Sequence, residues 1–186
     1  MTPLPVQRTS TATPEGQWKH PEIEGLTFRH LPPLEDERGE VTEFFRTDWG
    51  FHDAAVEQIY RVTLHPGVIK AWGLHKAQDD RIAVMEGSLR WAFFDARPDS
   101  PTRDHLVVRT FSERNRHVFT IPAGVWHGTE NVGTGDASFL NFPTSLYNHD
   151  KPDKYSLPRE NDLIPFAFGA TPGLPDQRAN PTRKAQ

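Results

Sequence analysis

Proline and glycine interrupt this chain so often that long helices have little room to form. The 186 residues include 17 prolines and 13 glycines, and proline breaks a helix interior while glycine weakens it. From residue 44 to residue 168, short runs of β-branched and aromatic residues are separated by turn residues at intervals of roughly ten residues. This rhythm is typical of sandwiches and barrels, so the sequence predicts an all-β fold with few, short helices.

Six segments carry the strongest strand signal. They are residues 56–64, 81–85, 88–94, 106–111, 117–121 and 137–142. We expect one domain over residues 1–186, with its barrel at about residues 34–168, because this length suits one hydrophobic core. Residues 1–20 and 170–186 are rich in proline and polar residues, and we expect them to be poorly ordered or wrapped on the surface.

The composition excludes several classes of function. Hydrophobic residues make up 35% of the chain, which suits a folded protein, and the formal net charge of -4 gives no reason to expect a nucleic-acid partner. The absence of cysteine excludes disulfides, thiolate metal sites and thiol catalysis. No run approaches the roughly 18 apolar residues of a membrane span, and residues 1–20 lack the apolar core of a signal peptide. We therefore expect a cytoplasmic protein without membrane contact.

Four polar segments stand out between the apolar runs. In order, they are an Arg-Gly turn (36–45), a Gly-Leu-His followed by a polar cluster (73–81), an Asp-x-Arg-x-x-Ser-Pro-Thr segment (95–102) and an Ile-Pro-x-Gly-x-x-His-Gly turn (121–128). A plain loop would account for the third segment equally well. Turn chemistry explains the proline and glycine of the fourth, but it does not explain its histidine, His127.

The histidines of these segments, His75 and His127, suit proton abstraction next to a carbonyl. Histidine is the side chain whose unperturbed pKa lies near neutral pH, and a positioned base of this kind contributes about 10²- to 10⁴-fold to the rate. The enolate that forms needs a hydrogen-bond donor, which His127 or Arg81 could supply. A barrel interior provides a dry, concave place for this chemistry.

In this order and at these separations, the four segments resemble the dTDP-4-dehydrorhamnose 3,5-epimerase family. The resemblance spans roughly residues 34–168, and its Ser-Pro-Thr and Pro-x-Gly-x-x-His-Gly parts are the most specific. It implies a cupin-type double-stranded β-helix, or jelly-roll barrel, that works as a homodimer without a cofactor or metal. It also implies an epimerase or isomerase whose substrate is a nucleotide-linked 4-keto-6-deoxysugar.

The resemblance assigns roles to individual residues. His75 is implied to be the base that removes the proton next to the ketone, and Tyr147 is the nearby tyrosine that could serve as the opposing acid. Substrate binding is implied for Arg38, Glu43, Gln58, Arg81, His127 and Asn141. The Arg-Gly segment of the family passes to the neighbouring subunit, so Arg38 is expected to reach the partner's site.

Several positions around the proton-transfer residues depart from the family pattern. Trp72 replaces the arginine of Arg-Gly-Leu-His, Asp80 stands where a family lysine helps to hold the oxyanion, and Asn141 replaces the tyrosine that acts as acid. The C-terminal aspartate that pairs with the base in the family has only Asp162 as a substitute. Because the acid is lost at Asn141, we expect inversion at one carbon instead of two.

Two other functions fit the same residues. A metal-dependent cupin enzyme would use His75, Asp80 and His127 as a set of two imidazoles and one carboxylate. A non-catalytic cupin would keep the two histidines as hydrogen-bonding groups for a sugar nucleotide. Several aromatic residues are interpreted as barrel core rather than as ligand platforms: Tyr60, Trp72, Phe94 and Trp126.

Overall fold

The computed structural model of the protein describes residue 14 and residues 22–169. This part of the chain contains one short 3-10 helix, Thr47–Trp49, and none of its helices could span a membrane. The remaining elements are the strands β1 (Thr27–His30), β2 (Leu34–Asp36), β3 (Gly39–Val41), β4 (Tyr60–Leu64), β5 (Ile69–Leu74), β6 (Asp80–Glu86), β7 (Ser88–Asp95), β8 (Leu106–Ser112), β9 (His117–Ile121), β10 (Val125–Asn131), β11 (Ala137–Asn141) and β12 (Tyr155–Ser156). The predicted all-β fold is confirmed.

Ten of these strands form two antiparallel sheets that pack face to face. The first sheet has the order β1-β9-β6-β11-β4 and the second has the order β12-β5-β10-β7-β8, while β2 and β3 form a separate hairpin. Aromatic rings join the sheets in the interior, where the ring centroid of Trp91 lies 5.2 Å from that of Phe119 and 5.1 Å from that of Phe139. The architecture is the expected cupin-type jelly-roll barrel.

Side chains alternate along the strands between the barrel interior and the outside. On β6, Ile82 and Val84 belong to the interior cluster, whereas Ala83 between them packs in a separate cluster on the outer face. Asp80 lies two residues before Ile82 and shares its interior face. Arg81 shares the outer face with Ala83, so two adjacent polar residues are sent to opposite sides of the sheet.

The outer faces of both sheets are covered as well. Phe142 and Leu31 lie beneath the segment at residues 44–56 on the first sheet. On the second sheet, Phe168 packs on Trp72 with ring centroids 5.1 Å apart. Burial of a large apolar side chain contributes about 2 kcal/mol. Coverage on both sides explains why β7 is a nearly continuous run of buried residues rather than an alternating one.

All six predicted strand segments contain a strand, although the first prediction is too long because β4 starts at Tyr60. The strands β5 and β10 were not predicted, yet both carry segments singled out for chemistry. Each contains glycine and polar residues, which obscure the period-2 pattern that identifies a strand.

The packed part of the chain starts earlier than residue 34. β1 precedes that residue, and Leu26 belongs to the interior cluster. The prediction that residues 1–20 and 170–186 are poorly ordered or wrapped on the surface lies outside the described residues, apart from residue 14.

The Asp-x-Arg-x-x-Ser-Pro-Thr segment forms a clamp around one buried carboxylate. Asp95 accepts hydrogen bonds from the Arg97 guanidinium at 2.9 and 2.8 Å, from the Ser100 hydroxyl at 2.6 Å and from the Thr102 hydroxyl at 2.7 Å. Burial raises the pKa of Asp95, but these donors outweigh burial and hold the pKa well below its ordinary value. Arg97 also donates to the Glu24 carbonyl at 2.8 Å. The segment therefore ties the chain before β1 to the end of β7.

Replacing Asp95 by alanine should destabilise the fold by about 3 kcal/mol, because Arg97 and two hydroxyls lose their acceptor. The contribution of Asp95 is present above its unfolded pKa of about 3.9 and is lost as pH falls through the lowered folded value. The difference in the free energy of unfolding between wild type and variant should therefore become smaller as the pH falls. Thermal unfolding followed by circular dichroism measures it, with exposed Asp99→Ala as the matched control. Equal stability of Asp95→Ala and wild type near neutral pH would contradict the clamp.

Candidate active site

A pocket of about 460 Å³ opens between the two sheets. Its walls are built by β4, β5, β6, β7, β10 and β11 and by the segment at residues 147–156. Its apolar lining includes Val62, Ile82 and Phe139. Its polar lining includes Tyr60, His75, Asp80, His127, Asn141 and Tyr147. The barrel thus brings together four of the eight residues that the sequence assigns to the site: His75, His127, Asn141 and Tyr147.

Two imidazoles and one carboxylate meet in this pocket. His75 follows β5, Asp80 starts β6 and His127 lies on β10. The Nε2 atoms of His75 and His127 lie 3.3 Å and 3.7 Å from the same oxygen, Oδ2 of Asp80. The two imidazole rings are stacked, with centroids 5.7 Å apart. Because the Asp80 side chain is only 5% exposed, its charge needs a positive group close by, and a protonated His75 can supply it.

The buried charge of Asp80 leaves the two histidines with opposite protonation preferences. Burial lowers the pKa of His75, but Asp80 and the hydrogen bond to the Asp153 carbonyl together raise it more, so the pKa lies above its ordinary value. Burial also lowers the pKa of His127, and the charge of Asp80 does not overcome it. Burial raises the pKa of Asp80, yet the imidazoles outweigh this and lower it. The site therefore holds an ionised carboxylate between a readily protonated His75 and a neutral His127.

Asp153 fixes His75 from the far side of the ring. The Nδ1 atom of His75 contacts the backbone carbonyl of Asp153, which can only accept, so Nδ1 carries a hydrogen and Nε2 remains for the pocket. The carboxylate of Asp153 accepts hydrogen bonds from the backbone N–H groups of Lys76 at 2.9 Å, Ala77 at 2.7 Å and Gln78 at 3.2 Å. One residue thus holds both the imidazole and the loop that follows it.

The Ile-Pro-Ala-Gly turn starts the strand that carries His127. Gly124 has a φ of 83°, in the left-handed region that favours glycine, and a Cβ there would lie 2.9 Å from Cγ of Arg97. The Nδ1 atom of His127 lies 3.1 Å from the Val125 carbonyl and donates to it, which leaves Nε2 as an acceptor. Gly73 on the adjacent β5 lies against this ring, since a Cβ at that position would be in van der Waals contact with the Nε2 atom at 3.5 Å.

Two tyrosines line the pocket. Tyr60 on β4 is paired directly with Asn141 on β11, and Nδ2 of Asn141 donates to the Tyr60 hydroxyl at 2.8 Å. Burial and the charge of Asp80 raise the pKa of Tyr60 to about 12. Tyr147 is 47% exposed. Gln58, assigned to the substrate by the resemblance, does not line the pocket and instead accepts a hydrogen bond from the Tyr147 backbone N–H at 3.0 Å.

Arg81 does not reach the pocket, and the prediction that it contacts the substrate is corrected. Strand alternation turns its side chain to the outer face of β6, where the residue is 0% exposed. Its guanidinium donates to the backbone carbonyls of Ala54, Ala55, Phe142 and Pro143 at 2.6 to 3.1 Å. Arg81 is therefore a structural residue that holds two loop segments against the barrel.

Arg38 and Glu43 also lie outside this pocket. Arg38 is at the tip of the β2–β3 hairpin, where its side chain is 81% exposed and pairs with Asp36. Glu43 accepts a hydrogen bond from Arg46 at 2.9 Å. Within the described subunit neither residue contacts the residues around His75, so their role in substrate binding stays a prediction that concerns a partner's site.

The three central residues could also hold a metal ion. One ligand atom from each of His75, Asp80 and His127 lies within 4.8 Å of the others. Two imidazoles and a carboxylate are a donor set that suits divalent transition metals. A metal bound there would occupy Nε2 of His75, the one ring nitrogen that the Asp153 carbonyl leaves available.

Three side chains of the pocket wall each carry a buried polar atom without a hydrogen-bond partner among the described residues. The atoms are Nε1 of Trp91, Oγ1 of Thr129 and Oδ1 of Asn141. A buried polar group left unpaired costs about 1 to 3 kcal/mol. A ligand that pairs with these donors and acceptors would recover that free energy, so the pocket suits a molecule rich in hydroxyl and carbonyl groups.

No sequence motif identifies Asp153, and Tyr60 is interpreted from the sequence as barrel core. The alternation of Tyr60, Val62 and Leu64 could have placed the Tyr60 ring on the interior face of β4. Asp153 carries no comparable signal, because its partners are backbone groups more than 70 residues away. Asp162, named as a substitute for the carboxylate partner of the base, is exposed and does not line the pocket.

Comparisons with known proteins give one consistent result. Residues 20–162 match the family described as dTDP-4-dehydrorhamnose 3,5-epimerase. A probable low-salt glycan biosynthesis epimerase of Haloferax volcanii is 34% identical over 139 residues, which cover 74% of this chain and 89% of the relative. A spore coat polysaccharide biosynthesis protein of Bacillus subtilis is 32% identical over 148 residues, covering 77% of this chain and 95% of the relative.

A solved structure shares the fold over most of its length. The dTDP sugar isomerase of Desulfovibrio desulfuricans G20 superposes with a TM-score of 0.75 at 26% sequence identity. The match covers 82% of this chain and 96% of the isomerase chain. The sequence comparisons and the structure comparison therefore point to the same protein family.

Replacing Asp80 by asparagine should lower the pKa of His75, since the charge that favours the imidazolium is removed while burial remains. NMR titration of the imidazole resonances measures the shift. Asp79→Asn is the matched control, because the carboxylate of Asp79 contacts His52 at 3.1 Å and the Ala123 N–H at 2.8 Å instead. An unchanged pKa of His75 in Asp80→Asn would contradict the electrostatic role of Asp80.

Proposed function

The chain belongs to the dTDP-4-dehydrorhamnose 3,5-epimerase family, and we propose that it epimerises a nucleotide-linked 4-keto-6-deoxysugar by proton transfer next to the ketone. The observation that carries this proposal is the contact of His75 with the buried carboxylate of Asp80 inside a pocket of about 460 Å³. A base beside a buried anion can accept a proton and keep the resulting cation stable.

His75 is the base in this proposal. Its Nδ1–H is held by the Asp153 carbonyl, so Nε2 takes the proton from the carbon next to the ketone. The electron pair of that C–H bond moves into an enolate, and the ionised Asp80 stabilises the imidazolium that forms. The unpartnered Trp91 N–H and Thr129 O–H on the pocket wall are candidate donors for the enolate oxygen.

His127 has a different task from His75. With Nδ1 bound to the Val125 carbonyl, the neutral ring offers an acceptor at Nε2, which suits a sugar hydroxyl.

The diphosphate of a nucleotide sugar needs cations, and Trp72 cannot replace the family arginine because it is buried among apolar residues. Lys70 and Lys154 line the pocket and are exposed, so their ammonium groups suit this part of the substrate.

Replacing His75 by asparagine should abolish deuterium incorporation from heavy water into dTDP-4-keto-6-deoxyglucose, a loss of about 100-fold or more. Binding of dTDP measured by calorimetry should change little. Because a base must be unprotonated and the pKa of His75 lies above its ordinary value of about 6.5, exchange by the wild type should rise with pH through a pKa above that value. His65→Asn serves as the control, since its side chain is 79% exposed.

The same assay separates the two other candidate functions. The spacing of His75, Asp80 and His127 favours a metal-dependent cupin enzyme as the second candidate. If elemental analysis finds one metal ion per chain, and activity is lost on its removal and regained on its return, a metal-dependent mechanism would take the place of proton transfer by His75. Tight dTDP-sugar binding by the wild type without any deuterium exchange would instead favour a non-catalytic binding protein.

We also propose that the protein is a homodimer that uses the β2–β3 hairpin. Leu34 and Val41 are paired directly across this hairpin and are 68% and 64% exposed. Two adjacent apolar side chains on a projecting hairpin are suited to contact with a second chain. Arg38, at the tip of the same hairpin, would then enter the partner's pocket.

Light scattering at micromolar concentration should give a dimer, and Leu34→Asp should shift it toward monomer by placing a charge in the contact. Leu163→Asp, at a residue that is 49% exposed, is the matched control. If Arg38 acts across the interface, mixing inactive Arg38→Ala and His75→Asn chains should restore part of the activity. A monomeric wild type, or mixtures that stay inactive, would argue against a shared site.

A further inference from the structure

Tyr60 and Asn141 form a pair whose hydrogen-bond direction leaves the phenol proton available. The two residues lie directly opposite each other on β4 and β11, and Nδ2 of Asn141 donates to the Tyr60 oxygen at 2.8 Å. Since the oxygen accepts this bond, the O–H of Tyr60 points elsewhere, and among the described residues no acceptor is recorded for it. Tyr60 lines the pocket, so a bound ligand is the natural acceptor.

Tyr60 and His75 line the pocket from different sheets. β4 is the edge strand of the first sheet, whereas His75 directly follows β5 of the second sheet, and the pocket lies between the sheets. A sugar ring bound between the two side chains would present one face to the imidazole and the other to the phenol. Inversion at a carbon requires this arrangement, because the proton leaves from one face and returns to the other.

The other two tyrosines of the chain are less suited to this task. Exposure does not separate the three tyrosines, since Tyr60 is 39%, Tyr147 47% and Tyr155 43% exposed. The ring of Tyr147 lies against that of His149 at 4.9 Å, in a segment without strand structure, whereas Tyr60 is fixed on β4. Tyr155 lies beneath the ammonium of Lys76 and does not line the pocket. Burial keeps the pKa of Tyr60 at about 12, so its phenol stays protonated at neutral pH.

We propose that Tyr60 is the acid that returns a proton to the substrate carbon, and that Asn141 positions it. This inference rests on the proposed epimerase function. His75 Nε2 takes the proton from one face, the C–H electron pair forms the enolate, and the enolate carbon takes the O–H proton of Tyr60 on the other face. The Asn141 N–H stabilises the phenolate left behind. Tyr60 then regains a proton from water and His75 releases one, so the reaction gains and loses no atoms.

Three tyrosine-to-phenylalanine variants test the assignment, since the chain has only three tyrosines. With dTDP-4-keto-6-deoxyglucose in heavy water, NMR follows deuterium incorporation and formation of the inverted sugar separately. Tyr60→Phe should form inverted sugar about 100-fold more slowly or worse. The variant should still incorporate deuterium with retention of configuration, because His75 can return a deuteron to the face from which it removed the proton. Tyr155→Phe is the control and should behave as wild type.

The outcomes distinguish this inference from the proposed function. Wild type that neither exchanges nor inverts overturns both. If the wild type inverts the sugar and folded Tyr60→Phe inverts it equally fast, the role of Tyr60 is overturned while the proposed function stands. The same holds if Tyr147→Phe is the one variant that loses inversion. Thermal melting and dTDP binding report whether Tyr60→Phe is folded. Asn141→Leu keeps the phenol and removes its donor, so it should slow inversion about tenfold while deuterium exchange continues; inversion at the wild-type rate would count against the pair.

Discussion

The buried carboxylate of Asp80 is the constraint from which the rest of the site follows. An ionised group at 5% exposure costs several kcal/mol unless nearby groups compensate it, and its compensation comes from the readily protonated imidazole of His75, which the other sheet carries. His127 approaches the same carboxylate because β10 runs beside β5, with His127 opposite Gly73. The turn before β10 aims the ring of His127. The histidines and the turn that form the sequence motifs therefore also surround and stabilise the buried charge of Asp80.

Three consecutive residues around the first position of β6 perform three separate tasks. Asp79, just before the strand, contacts His52 and accepts a hydrogen bond from the Ala123 N–H, Asp80 faces the pocket, and Arg81 binds four backbone carbonyls on the outside. Because side chains on a strand alternate, a register slip of one residue would turn the guanidinium inward and the carboxylate outward. The hydrogen bonds made by Arg81 and the imidazoles around Asp80 therefore specify the same register from opposite faces of the sheet.

Local patterns predicted the all-β architecture, because turn residues and short apolar runs act over a few positions, whereas a shared site for His75 and His127 was implied by the family resemblance. Local patterns could not give the direction of Arg81 or the partners of Asp153, since these depend on which strands become neighbours. Tyr60 is the instructive case. As a residue type it resembles barrel core, and only the pairing of β4 with β11 reveals that its hydroxyl meets Asn141. Sequence reasoning is strong where the chemistry is local and weak where two distant strands share one side-chain contact.

The contact between His75 and Asp153 spans 78 residues of sequence, and this distance has a consequence for the newly made chain. During synthesis, the histidines leave the ribosome well before the residue that orients the first of them. A nascent or truncated chain that ends before residue 153 carries His75 without its anchor, and long-range contacts of this kind form slowly. The orientation of His75 is therefore fixed only after the strands that form the pocket walls have been synthesised.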